Sequence, residues 1–378
     1  MQRGPLSKVR REFGRAALRL WDAGLKPVRR LRTRLYDRRR AALVTVHDGH
    51  LPKADKVAVY VIFQPSGVQA STLVTCDWLA RNGYAPLVVS NAAVSPADLQ
   101  ALIARSWLTV VRPNLGYDFG AYRDGLWVLS SREQAASRIL LLNDSIWAPL
   151  TDDDRMLARL ERQSSGLSGP VFVARPGRSR RNAHFQSYLV SLGGAVARHP
   201  ALAGFWRHYP LCDARRVVLS EGEKGLTQAV LGAGLAQAPV PTAEVMFDRM
   251  QEQDAATLGM LLRYAAYDTA ADAAEGRALV ARDDGSEAWR QAALDHARRI
   301  LGRAQPMGAF PVAGVLLMGF AFLKKGNNLP VYPGMRWQYL RAVRDGILPK
   351  PAPEILAEIE ASRMDGRWTS DPDCSAPP

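Results

Sequence analysis

Lys56-Val57-Ala58-Val59-Tyr60-Val61-Ile62-Phe63-Gln64 is an apolar run, rich in β-branched and aromatic side chains and without a charge inside it. Such a run reads as a strand buried on both faces, as in the middle of a parallel sheet. Working downstream, residues 71–84 carry a helical pattern stopped by Asn82-Gly83. Residues 86–91 predict a second strand, and a helix starts at Ser95-Pro96 and runs through Ala104. A third strand at 107–112 ends at Arg112, and a charge-free fourth covers 138–143. Strand and helix alternating through short loops predict an α/β fold, a mostly parallel sheet flanked by helices with right-handed crossovers. In such sheets ligands gather at the carboxyl ends of the strands.

Upstream of 56 the chain changes character. Its 378 residues carry a net charge of +14, yet residues 1–40 alone hold fourteen basic and three acidic side chains. The remaining 338 hold 36 basic and 33 acidic groups, so the body is nearly neutral. Val9, Phe13, Ala17 and Leu20, and after Lys26-Pro27 also Val28, Leu31 and Leu35, recur at helical spacing among Arg and Lys, in two pieces. A basic amphipathic helix suits an anionic membrane surface, with a solvated tail or a nucleic-acid arm as competing readings. Nucleic acid ranks last because no zinc-finger or aromatic-interleaved pattern accompanies the charge.

Cys76, Cys212 and Cys374 are odd in number and far apart, which argues against a disulfide framework or a zinc knuckle and for a reducing, cytoplasmic setting. Arg10-Arg11 is not followed by an uninterrupted apolar stretch, so an export signal is rejected. Residues 306–323 are free of charge, at the lower limit for crossing a bilayer. Two prolines and three glycines favour a buried or interfacial helix there instead. Expected domains are a basic arm and linker at 1–50, an α/β domain at 51–250 and a helical region at 251–378, where 255–267, 269–282 and 286–303 read as helices. No P-loop, nucleophile elbow or complete dinucleotide-binding glycine pattern occurs.

Two motifs sit at strand ends. After the third strand, residues 114–126 read NLGYDFGAYRDGL, where Gly116 and Gly120 would let the backbone approach a ligand at a helix start. After the fourth, residues 140–150 read LLLNDSIWAPL and set Asp144 at the tip of a buried strand, a poor place for a carboxylate without a partner. With HFQSYL at 184–189, Phe205-Trp206 and EKGLTQAVLGAGL at 223–235, these segments resemble the rhamnan synthesis protein F family of bacterial surface-polysaccharide assembly. The resemblance covers about residues 56–240.

That resemblance implies a GT-A-like glycosyltransferase that moves a sugar, with rhamnose as a candidate, from a nucleotide-diphosphate donor to a cell-surface glycan or lipid-linked acceptor. It implies Asp144 as ligand of a divalent cation (Mg²⁺ or Mn²⁺) or of the diphosphate, although Asn143-Asp144-Ser145 supplies one carboxylate where two are common. Asn114, Gly116, Asp118, Arg123, Asn143 and Ser145 would meet the donor, Arg123 as counter-charge to phosphate. Glu223, preferred to Glu221, would be the catalytic base of an inverting displacement. His184, Gln186 and Ser187 would position the acceptor. Tyr117, Phe119 and Tyr122 read as packing ahead of sugar-stacking, and Trp147 and Phe205-Trp206 as core or cleft wall. The expected location is the inner face of the cell membrane, with residues 1–40 as the contact. The rival reading is a catalytically inactive nucleotide-sugar-binding or scaffold protein of the same assembly.

Overall fold

The run at 56–64 becomes β2 (Lys56–Ile62), preceded by β1 (Thr45–Asp48) and followed by β3 (Tyr84–Ser90), β4 (Leu108–Val111) and β5 (Arg138–Asn143). The computed structural model describes residues 5–362 apart from 133–134, 153–154, 163–165, 175–181, 215–216, 236–241, 304 and 328, with side chains described except at 5–23 and 219. Cys374 and the polar tail lie outside the described residues, as do the side chains of Val9, Phe13, Ala17 and Leu20. Further along come β6 (Ile146–Trp147), β7 (Leu167–Ser168), β8 (Phe172–Val173), β9 (His184–Phe185), β10 (Leu189–Gly193) and, much later, β11 (Leu323–Lys324).

Seven strands form one sheet in the order β1-β4-β3-β2-β5-β10-β7. The inner four, β4-β3-β2-β5, run parallel, while β1, β10 and β7 each pair antiparallel with their neighbours. The chain builds β2, β3 and β4 outward in one direction and then returns to the other side of β2 to lay down β5. The order therefore reverses between β2 and β5, and a crevice opens at their carboxyl ends.

Alternation along β2 divides the core. Ala58, Tyr60 and Ile62 pack with Leu140, Leu142 and the C-terminal helices on one face, through residues such as Leu258, Phe310 and Ile355. Val57, Val59 and Val61 pack on the other with Leu141, Phe119, Tyr122 and Tyr36. Every residue from Val57 to Ile62 is at most 1% exposed. Full burial of such side chains contributes about 1.5–3 kcal/mol each, which fixes the strand's register.

Connecting helices follow their local signals. Helix α1 (Pro5–Leu43) precedes the sheet, and α2 (Ala70–Arg81) and α3 (Pro96–Ile103) link the parallel strands. Ser95 caps α3 by accepting a hydrogen bond from the Asp98 backbone, with Pro96 at the first turn. Helix α4 (Tyr117–Ser131) starts after Gly116, whose φ of 84° suits glycine. It lies so close to the sheet that a Cβ on Gly125 would stand 2.6 Å from a Val59 methyl.

One expectation changes and another holds in its buried form. The basic arm, expected as two helical pieces, is one helix that continues through Pro27, and its second half is docked on the body through Thr33, Tyr36 and Asp37. Residues 306–323 fold into the short helices Pro306–Ala309 and Pro311–Leu316 and lead into β11, nearly all of them buried. Among the described residues no helix is long and apolar enough to cross a membrane.

Candidate active site

The crevice at the ends of β2 and β5 opens into a cleft of about 580 Å³ lined by Asp118, Asn143, Ser145, Gln186, Ser187 and Glu223, and by Gln305, Lys324, Asn327 and Tyr332 from the C-terminal region. Asn143, last residue of β5, organises its floor. Its Nδ2 donates to Asp118 Oδ2 at 2.8 Å, and its Oδ1 accepts from both the backbone and the hydroxyl of Ser145. Asp118 reaches this point from the first turn of α4. Burial, together with the nearby charges of Asp144 and Glu223, pushes its carboxyl up to about 6, against the opposing pull of Lys324 and Asn143.

Glu223 enters from the opposite wall, on a π-helical segment (Val218–Lys224). That segment presses on α4 through Gly222, where a Cβ would meet the Phe119 ring at 2.7 Å. The hydroxyl of Ser187 donates to Glu223 Oε1 at 2.8 Å and the Ser187 backbone N–H at 3.3 Å. His184 Nε2 stands 3.7 Å from Oε2, while its Nδ1 lies 2.8 Å from the Asn182 carbonyl. Glu221, the rival acid two residues away, is exposed and does not line the cleft. π-Helical turns are rare and recur at functional sites.

Asp144 faces back toward β2. Its Oδ2 accepts from the Phe63 backbone at 2.8 Å and from Gln64 Nε2 at 3.1 Å. Burial raises its pKa, and Phe63 and the charge of Lys325 oppose that rise. Gln64 also lines a smaller hollow of about 300 Å³ at the ends of β2 and β3, with Gly67, Ser90, Ser95 and Asp98.

Sequence reasoning missed the contribution of β11, which pairs with β6 immediately beyond Asp144. Lys324 Nζ donates to Ser145 Oγ at 2.9 Å and sits 4.1 Å from the Tyr188 ring centroid. Lys325 Nζ reaches Gln69 Oε1 at 2.6 Å, Ser71 Oγ at 3.0 Å and Glu358 Oε2 at 3.5 Å. Arg336, 1% exposed, pins this loop by donating to the carbonyls of Lys325 and Gly326 and to Asn327. The only trace in the sequence is that Lys324-Lys325 closes the uncharged stretch.

Three expected donor contacts lie elsewhere. Arg123 is turned away from the cleft: its fork grips both oxygens of Asp37 at 2.6 and 2.7 Å, and its Nε bonds the Trp206 carbonyl. Gly116 serves its own turn, since a Cβ there would meet Leu211 at 2.9 Å, and its N–H faces Asp213 Oδ1 at 3.4 Å. Asn114 is exposed on the preceding loop and outside the cleft. The remaining expected residues converge, with Asp144 behind the floor and His184 behind Glu223.

A divalent ion held by protein needs several oxygen ligands at short range. Among the described residues no three His, Cys, Asp or Glu side chains converge to hold an ion. Asp144 has N–H donors on one oxygen and a lysine close by, and Asp118 has a lysine and an amide. Neutral hydroxyl and amide groups make up much of the rest. The described residues offer no protein cage for Mg²⁺ or Mn²⁺ at Asp144, whose single carboxylate would hold an ion only together with donor phosphates and water.

Residues 87–265 match the family model described as rhamnan synthesis protein F, the family that the motifs at 114–126 and 140–150 resemble. The match starts within β3, later than residue 56, and continues past 240. A curated protein of Sinorhizobium fredii (strain NBRC 101917 / NGR234), "Uncharacterized protein y4gN", is 30% identical over 240 residues, 62% of this chain and 62% of that protein. The match thus spans less than two thirds of that relative's length. No solved structure matches the chain.

Proposed function

With the match of residues 87–265 to rhamnan synthesis protein F as premise, we propose that this chain is a glycosyltransferase of polysaccharide synthesis. It moves a sugar from a nucleoside-diphosphate donor to a hydroxyl of a glycan or lipid-linked acceptor, rhamnose being the sugar that the family's name suggests. The observation that carries the reading is Glu223, held by Ser187 in a cleft of hydroxyls, amides and acids at the sheet's switch point.

In this reading the Glu223 carboxylate takes the proton of the acceptor hydroxyl as that oxygen attacks the anomeric carbon. The bond from that carbon to the diphosphate breaks, and the leaving negative charge meets Lys324 and Lys325. Asp118, Gln186 and Asn327 bond the sugar hydroxyls, and the nucleoside occupies the hollow beside Gln64. Outside the cleft, the exposed apolar stripe and basic flanks of α1 rest on the anionic inner face of the membrane.

Incubation with a panel of nucleotide sugars, each with EDTA, Mg²⁺ or Mn²⁺, tests the reading by release of nucleoside diphosphate and by transfer. Donor turnover is expected in at least one arm, and Glu223→Gln lowers its rate by about 10²–10⁴ while nucleotide binding persists. No turnover and no nucleotide binding with any donor removes the enzyme. Binding without turnover favours the second reading, an inactive nucleotide-sugar-binding scaffold, which the single strand-end acid of Asn143-Asp144-Ser145 supports.

A further inference from the structure

A second cavity lies away from the cleft, between the docked half of α1, helix α4 and the helix Pro200–His208. It measures about 860 Å³, within the range of small-molecule sites. Leu126, Trp127, Ile139 and Leu202 give it apolar walls, whereas the exposed Arg198, whose Nη1 donates to the Ala136 carbonyl at 3.1 Å, and the exposed Arg207 line its rim. Trp206 also lines it through its ring. Apolar walls and cations at the rim together describe a ligand with an apolar body and an anionic head.

The arm indicates where such a ligand comes from. Asp37 and Arg40 of α1 form one wall of the cavity. At about 100° per residue these positions, with Thr33 and Tyr36, lie on the side of the helix opposite Val28, Leu31 and Leu35. Those three are 61%, 57% and 51% exposed. A helix with its side chains is about 10–12 Å across. A surface that takes up the outer stripe therefore lies within one helix diameter of the cavity wall.

We propose that this cavity binds an anionic lipid, its phosphate at Arg198 and Arg207 and its hydrocarbon chain against Leu126, Trp127, Ile139 and Leu202. The site is separate from the cleft: Phe119, which lines the cleft, and Trp206, which lines the cavity, stack at 6.0 Å between them. Lipid binding needs no transfer reaction and stands or falls independently of it.

Dodecyl phosphate below its micelle concentration, titrated into the full chain by calorimetry, is the test. Saturable binding is expected in the wild type. Ala203→Trp, which fills the cavity from an exposed lining position, and Arg207→Glu, which reverses charge at its mouth, each weaken it by about tenfold or more. Inorganic phosphate and dodecyl maltoside bind much more weakly, since each offers half of the recognised chemistry. The double variant Val28→Ser, Leu31→Ser keeps full affinity for the probe. The proposal is overturned by absence of wild-type binding, by unchanged affinity in both cavity variants, by equal affinity for dodecyl maltoside, or by loss of binding in the outer-stripe variant.

Discussion

Asp118 has its carboxyl pushed up to about 6, from 3.8 in the unfolded chain, by burial and by the charges of Asp144 and Glu223. A raised folded-state value means that its contribution to stability is full below about pH 4 and is lost as pH rises through about 6. Asp118→Asn keeps an acceptor for Asn143 and removes that loss. Chemical denaturation should find the variant more stable than wild type at about pH 7.5, by on the order of 2 kcal/mol, with the gap closing toward about pH 4. A gap that stays constant with pH would mean that Asp118 is not strained by its charge. Single residues were unevenly legible in the sequence. Asn143 could be found because it ends a strand, where a polar residue after an apolar run stands out, and Asp118 because it follows a glycine at a helix start; Glu223, on a π-helical segment, is reached through the family resemblance of residues 223–235. Arg123 was misread because its partner Asp37 belongs to a segment that looked detached.

At the scale of elements, α1 carries two opposed surfaces. Its inner face is structural: Tyr36 donates to Asp124 Oδ2 at 2.5 Å, Arg112 Nε donates to the same oxygen at 2.6 Å, and Arg40 Nε approaches the other at 3.2 Å. Asp124 is fully buried, and removal of one partner from such a carboxylate costs about 1–3 kcal/mol. Tyr36→Phe should therefore lower stability by that amount in thermal or chemical melts, although it lies in the arm. Deletion of residues 1–40 would strip the same network, so membrane binding is better tested on the outer face. Replacing Val28, Leu31 and Leu35 by Ser should release the chain from anionic vesicles in a sedimentation assay without lowering the melting temperature. Retained sedimentation would place the contact elsewhere. The helical character of α1 was legible from its spacing, but not its docking, because apolar periodicity does not say which charged residues on the other face meet buried partners.

The whole molecule closes through its C-terminal region. Glu358, on the helix Pro353–Ala361, accepts from the Ser71 backbone at 2.8 Å, from the Ser71 hydroxyl at 2.6 Å and from Trp147 Nε1 at 2.9 Å, and it faces Lys325. Four groups from three distant parts of the chain thus share one carboxylate. Glu358→Ala leaves buried donors unmatched and should cost about 1–3 kcal/mol in unfolding experiments. It should also weaken nucleoside-diphosphate binding, since Lys325 loses an anchor; unchanged binding would separate Lys325 from the donor site. None of this could be read in advance. Contiguous apolar runs announced β2 to β5, whereas β11 has two residues and takes its identity from pairing with β6.

That late pairing has a consequence for how the protein is made. Residues leave the ribosome in order, and N-terminal parts organise first. The arm and the four parallel strands emerge while Lys324, Lys325 and Arg336 are still unsynthesised, so a nascent or prematurely terminated chain has one side of the cleft and lacks both its C-terminal wall and its lysines. In the proposed reading, partial products of translation lack the lysines that meet the leaving diphosphate, and the last stretch of synthesis completes the site.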